Sequence, residues 1–280
     1  MSPAWSDRAG AAKALMAIGR AGEARIDIAD AGLALAIAAG TANDLAGARA
    51  HLAELVRDAA RHAPAATAAR SRIAAVSETL VHRHGYRGDR RTYDDLQNAD
   101  LLRVIARRRG LPVALSIIWL HVARALDWPA VGLNAPGHFV IRLGAADDAC
   151  IVDPFNDGEI LDAPKLGRRP RKIVGEEAAL AQSALAAVSN RAVLLRLQNN
   201  IKLRHFEAGR YAETAAAVER MLWLAPESGA LWSEFGALHH ELGNLIAARD
   251  AFARALALAE DEATRQRIAA ALQALRKRLN

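Results

Sequence analysis

The sequence predicts an α+β domain followed by an all-α repeat domain. Three observations carry that prediction. Apolar residues recur at helical spacing through the first 85 residues, with almost no strand signal. After Pro129 the chain breaks into short β-rich runs, "AVGLN", "HFVIRL" and "ACIVDPF", separated by Gly, Pro or Asp. From about Glu176 the helical period returns, and there the pattern repeats itself. A chain of 280 residues exceeds the usual single domain. Division into 1–175 and 176–280 follows from the change of pattern.

The elements follow in order. "DIADAGLALAIAAG" places Ile28, Ala31, Leu35 and Ala38 on one helical face, with Gly40 as a stop. "DLAGARAHLAELVRDAARHAP" does the same with Leu45, Ala48, Leu52, Leu55 and Val56, and ends before Pro64. "SRIAAVSETLVHRHG" offers Ile73, Val76 and Leu80, then Gly85. "YRGDRRTYDDLQNADL" reads as a polar loop leading into "LLRVIARRRG". "LPVALSIIWLHVARALDW" is a strongly apolar helix, and Pro112 suits its first position because a missing N–H costs nothing there. The three short runs form one antiparallel sheet, and "DGEILDAP" adds a short edge. The polar stretch from Pro164 to Lys172 reads as an exposed connection.

Composition narrows the function classes. With 52% apolar and 24% charged residues the chain is globular. Cys150 is the only cysteine, so an oxidising compartment has no intramolecular disulfide to form. The N-terminus lacks a signal-peptide core, and no apolar run approaches the roughly 18 residues of a membrane span. A cytoplasmic location is expected. The net charge of +6 invites a nucleic-acid reading, but 31 acids accompany 37 bases. The imbalance sits in short clusters such as "GRRPRK" (Gly167 to Lys172), which read as solvated loops or helix faces. Neither nucleic acid nor membrane is expected as a partner.

In the C-terminal part, two segments align at a shift of 34 residues, with Gly209 on Gly243 and Val218 on Phe252. A period of 34 with small residues at the helix crossing resembles the tetratricopeptide repeat. Trp232, Gly236, Ala248, Phe252 and Ala255 of the second copy match that pattern; the first copy departs from it with Gln198 and Lys202 where Trp and Gly are usual. "ATRQRIAAALQALRKRL" is expected to close the open end as a capping helix. By position, Arg196, Asn199, Phe206, Ser233, Ala237 and His240 line the groove in which such repeats hold a protein or peptide partner.

The middle segment carries the chemistry. A thiol hydrolase needs a thiolate at a helix N-terminus, a histidine to take its proton and an acid to orient the imidazole. His138 and Asp153, on adjacent strands, supply the second and third. The helix that should present the thiol opens with Gly110-Leu111-Pro112 and ends in "RALDWP". It resembles the transglutaminase-like core, whose helix opens with G-x-C, and proline stands in the nucleophile's place. Taken together, "NADLLRVIARRRGLP", "PGHFVIRL" and "VDPF" resemble the SirB1 family over roughly Ile26 to Ala259. That family joins a transglutaminase-like domain to tetratricopeptide-like repeats and carries G-x-P at this point. The resemblance implies a papain-like α+β fold and no particular reaction. The family pattern favours "PISLA", whereas this chain has "PVALS", with Ala114 at the usual serine.

Other nucleophiles fit poorly. Ser116 lies one turn beyond Pro112, about 6 Å along the helix at 1.5 Å per residue. Proton transfer needs roughly 2.6 to 3.2 Å. Cys150 shares a strand face with Val152 and so points away from Asp153, toward the apolar core. His82 and His84, and His239 and His240, lack further ligand groups at metal spacing. There is no phosphate-binding glycine loop. No metal and no cofactor is expected.

The expectation is therefore a catalytically depleted transglutaminase-like protein that binds a protein or peptide through its repeats. The alternative is a hydrolase or acyltransferase on an amide or isopeptide bond, using His138 and Asp153 with an unconventional nucleophile.

Overall fold

The computed structural model describes residues 5–23, 26–41, 44–63, 67–135, 138–145, 148–161 and 186–279. The boundary expected at 175 and the connection from Pro164 to Lys172 lie outside the described residues. Two compact units emerge, neither of them a single stretch of chain. One comprises Met1–Arg25, Ile37–Gly40 and Leu195–Asn280; the other comprises Ile26–Ala36 and Thr41–Leu194.

The second of these units carries the sheet. Helix α2 (Ile28–Ala38) is buried over almost its whole circumference, as a helix apolar on every side must be. Helix α3 (Leu45–His62) starts at Asp44, whose carboxylate accepts from Gly47 N at 2.8 Å. Leu45, Ala48, Leu52 and Leu55 are buried as their spacing predicts, and Val56 is half-buried. Helix α4 (Ala69–Ser77) buries Ile73 and Val76, then runs into a π-helical turn, Glu78–Arg83, that buries Leu80.

The expected polar loop that follows contains structure. Strand β1 (Arg87–Gly88) pairs in parallel with β2 (Arg109–Gly110), and a 3₁₀ turn spans Leu96–Ala99. Between them α5 (Leu101–Arg107) is capped by Asp100, which accepts from Arg103 N at 3.1 Å. Helix α6 (Pro112–Ala125) begins with Pro112 in its first turn and is buried along nearly its full length. Apolar on all faces, it packs against α3, α4 and α5 and against the sheet strands β3 and β4.

The five-stranded antiparallel sheet has the order β6-β5-β4-β3-β7. Its strands are β3 (Ala130–Leu133), β4 (Val140–Leu143), β5 (Cys150–Asp153), β6 (Glu159–Leu161) and β7 (Ala187–Val188). The three predicted strands are its centre and β6 is the predicted edge. The two residues of β7 carry too little pattern to read from sequence.

In the other unit, α1 (Arg8–Arg20) packs against α8 (Tyr211–Leu224). The approach is close: a Cβ on Gly19 would stand 2.1 Å from the Trp223 carbonyl oxygen. Helix α7 (Asn190–Glu207) precedes α8, and α9 (Gly229–Glu241), α10 (Leu245–Ala257) and α11 (Glu262–Leu279) follow.

The repeat is visible in hydrogen bonds as well as in residue types. Gly209 and Gly243 both adopt left-handed backbone, at φ +69° and +75°. After α7, Gly209 N donates to Phe206 O and Arg210 N to His205 O; after α9, Gly243 N donates to His240 O and Asn244 N to His239 O. Gly236 lets α9 and α10 meet, since a Cβ there would lie 3.0 Å from the Phe252 ring. Ala248, Phe252 and Ala255 join Ile268, Leu272 and Leu275 of α11 in one apolar cluster.

The first copy's departures have partners of their own. Gln198 is buried and accepts from Arg220 Nε at 3.0 Å. Lys202 pairs with Glu234 at 2.8 Å, tying α7 to α9. Polar contacts stand where the second copy packs Trp232 and Gly236.

Candidate functional site

Strands β4 and β5 pair with Ile141 opposite Val152, and this register brings His138, which precedes β4, to the end of β5. His138 Nε2 lies 2.9 Å from Asp153 Oδ1. A carboxylate only accepts, so Nε2–H donates to it. Asp153 is fully buried, whereas the His138 side chain keeps 11% exposure. Asp153 also opens the 3₁₀ turn Pro154–Asn156: Oδ1 accepts from Phe155 N at 3.1 Å and Asn156 N at 3.4 Å, and Oδ2 accepts from Asn156 Nδ2. The carboxylate that orients the histidine thus also holds the following turn.

Three side chains stand around that turn. The Phe155 ring meets His138 edge-on at 6.2 Å, and Tyr93 meets Phe155 edge-on at 5.8 Å. The Arg90 guanidinium lies 5.8 Å from the Phe155 ring centre and donates to Asn156 Oδ1. Gly88 makes this approach possible, because a Cβ there would stand 2.5 Å from Phe155 O. Arg87 adds an ion pair to Asp157 at 3.0 Å.

The segment that supplies Arg90 and Tyr93 is held by a side-chain network that the polar sequence pattern does not reveal. Asp89 accepts from Thr92 N at 2.9 Å, Thr92 Oγ1 at 2.8 Å and Arg107 at 3.0 Å. Arg107 also donates to Asn98 Oδ1, and buried Asn98 donates through Nδ2 to Thr92 O at 2.6 Å. Burial opposes ionisation of Asp89, but the hydrogen bonds from Thr92, Arg107 and Arg91 N outweigh it and bring the carboxyl down to about 2. The available signal was Asp89 followed three residues later by Thr92, a local side-chain-to-backbone turn pattern.

At the head of α6, Pro112 is buried in the first turn, and the capping residue Leu111 contributes no side-chain hydrogen bond. One turn on, Ser116 is fully buried and its Oγ has no hydrogen-bond partner among the described residues. Cys150 shares its strand face with Val152, but the expected core position is corrected. It is half-buried, and its thiol points toward Asp148 O at 3.7 Å.

The six expected groove residues have the following surroundings. Ser233 and Ala237 line a cavity of about 700 Å³ together with Glu234 and, from α11, Thr264, Arg267 and Ile268. Phe206 is exposed and stacks edge-on with Tyr211 at 5.9 Å. His240 lies 3.7 Å from the carboxylate of its neighbour Glu241. Arg196 and Asn199 are half-buried on α7.

Tertiary structure also assembles a histidine cluster. His51 and Glu54 sit one turn apart on α3, with Nδ1 2.9 Å from Oε2. His84, just past the π-helical turn, places its ring 5.2 Å from that of His51 and its Nε2 2.9 Å from Asp58 Oδ2. Arg108 stands 3.4 Å from His51 Nδ1 and donates to Tyr86 OH at 2.9 Å. Burial pushes the His51 imidazole down, and the Arg108 charge acts in the same direction. The hydrogen bond from His84 holds the Asp58 carboxyl below its ordinary value. The sequence gives no metal spacing around His84 because its companions lie some thirty positions upstream.

Among the described residues no helix is long and apolar enough to cross a membrane. Comparison with known proteins matches residues 46–199 to the transglutaminase-like superfamily and residues 201–273 to the tetratricopeptide repeat. A UPF0162 protein of Xylella fastidiosa is 35% identical over 191 residues, which cover 67% of this chain and 68% of that protein. A UPF0162 protein of Pseudomonas aeruginosa is 30% identical over 61% of this chain and 63% of its own length. Human F-box only protein 21 is 30% identical over 82 residues, which are 29% of this chain and 13% of that protein. No solved structure matches.

Proposed function

The chain belongs to the transglutaminase-like superfamily, with UPF0162 proteins among its relatives, and on that premise we propose that it is a catalytically depleted member. Its repeats then serve as a protein-binding or regulatory module in the cytoplasm, attached to a transglutaminase-like domain over 1–175. The observation that carries this reading is Pro112, buried at the head of α6 where the superfamily's helix presents its thiol. An imino acid has no nucleophilic group, and Cys150 is committed to a strand. For the binding half of the reading, the cavity lined by Ser233 and Ala237 offers mixed polar and apolar walls to an extended peptide.

The test is capture by the tagged full-length chain, compared with Ser233→Arg and Ala237→Arg variants that fill the cavity. Loss of a specific protein partner in both variants, with unchanged helicity, supports the reading. Undiminished capture rejects it.

A second reading keeps one observation in its favour, the assembled His138–Asp153 pair. On that reading the protein is a hydrolase or acyltransferase acting on an amide or isopeptide bond with an unconventional nucleophile. Incubation with electrophilic serine and thiol probes separates the two. Covalent labelling that His138→Ala abolishes supports an enzyme; an unlabelled wild-type chain supports the binding module.

A further inference from the structure

We propose that His51, Glu54 and His84 form a binding site for a divalent transition-metal ion of the zinc type. One potential ligand atom from each of the three residues lies within 4.8 Å of the other two. Donors bound to one zinc at about 2.0–2.1 Å stand roughly 3.4 Å apart in a tetrahedron. The Glu54 carboxylate already lies 2.9 Å from His51 Nδ1, and its side chain is 49% exposed.

The architecture suits an ion beyond mere proximity. His51 and Glu54 share one face of α3 at a three-residue spacing, so a single rigid helix presents both. His84 comes from a different element, immediately after the π-helical turn, and such turns are frequent at functional sites. Its ring is oriented from behind, because Asp58 is largely buried and accepts from Nε2 at 2.9 Å. With the proton fixed on Nε2, Nδ1 carries the free lone pair. This is the carboxylate–histidine arrangement that fixes the tautomer of metal-binding histidines.

Two histidines and one carboxylate leave a fourth position open, unlike closed structural zinc sites. The cation facing the cluster is Arg108, 3.4 Å from His51 Nδ1. Its charge opposes a bare ion and favours one carrying an anionic fourth ligand such as hydroxide or a carboxylate. A cavity of about 250 Å³ lined by His51 and Arg108 among others adjoins the cluster.

The test uses the full-length chain, first freed of metal with a chelator and then titrated with Zn²⁺ by calorimetry and with Co²⁺ by visible absorption. One ion per chain is expected, with a Co²⁺ spectrum of nitrogen and oxygen ligation. Glu54→Gln, at an exposed position that leaves the fold intact, and His51→Ala each weaken binding at least tenfold. Asp58→Asn, which reaches the ion through His84 and otherwise weakens only the ion pair with the exposed Arg61, weakens it by about 10–100-fold. Absence of saturable binding to the wild-type chain overturns the proposal, and so does binding that Glu54→Gln and His51→Ala leave unchanged.

Discussion

Asp153 touches His138 through one carboxylate oxygen and grips its own following turn with both, so the histidine is the lesser of its obligations. Replacing Asp153 with Ala strips the acceptor from Phe155 N, Asn156 N and the Asn156 amide, and destabilisation of about 2–4 kcal/mol is expected from the unsatisfied groups together. Replacing His138 with Ala removes the hydrogen bond to Asp153 at a partly exposed position, worth about 0.5–1.5 kcal/mol. Urea unfolding of the two variants checks the order. A larger loss from His138→Ala contradicts this account of the pair.

Gly158, just after this turn, stands against α6. Its φ of +79° is left-handed, and an added Cβ would lie 2.5 Å from the Trp119 ring. Left-handed strain of about 1–2 kcal/mol adds to overpacking of about 1–3 kcal/mol. Gly209 has a similar φ of +69° with nothing within 4 Å, so Gly209→Ala meets the backbone term alone. Thermal melts should show Gly158→Ala clearly below Gly209→Ala, and equal midpoints exclude the Trp119 contact as the cause.

The Asp89 network makes a pH prediction. Folded Asp89 titrates at about 2, against an ordinary carboxyl value of about 3.9. A group depressed in the fold stabilises it above the unfolded value and loses that contribution as the pH falls through the folded one. The stability gap between wild type and Asp89→Asn should therefore be constant above about pH 5 and shrink steadily toward pH 2. Denaturant midpoints collected across that range measure it, and a gap that widens on acidification rejects the assignment.

Gln198 and Arg220 test how the first repeat tolerates polarity in its interior. Gln198→Leu leaves the buried guanidinium without this acceptor, a loss of about 1.5–3 kcal/mol. Adding Arg220→Met restores an apolar pair and should recover most of that, because replacing both partners of a buried polar contact is often neutral. A double-mutant cycle reads the coupling, and strictly additive losses contradict it.

Much of this fold was legible in one dimension. The apolar run of α2, the helical faces of α3 and α4, the short β-rich runs of β3 to β5 and the 34-residue repeat are local patterns, and burial follows them because apolar surface must leave water. His138 and Asp153 were also legible, since each sits at the end of a strand and antiparallel pairing brings such ends together. The segment around Asp89 was not: its polar composition reads as loop, and its order comes from side chains of Asn98 and Arg107 that return from later in the chain.

By itself the sequence determined the class of each half, the main helices and the three central strands, the proline at the head of α6 and the pairing of histidine with aspartate. Only the tertiary structure decided that α1 packs with the repeats, that Arg90 and Tyr93 stand beside the His138 turn, and that His51 and Glu54 meet His84. The reason is range. Periodicity reports which face of an element avoids water, and it carries no information about which distant element supplies the cover or which polar groups meet there.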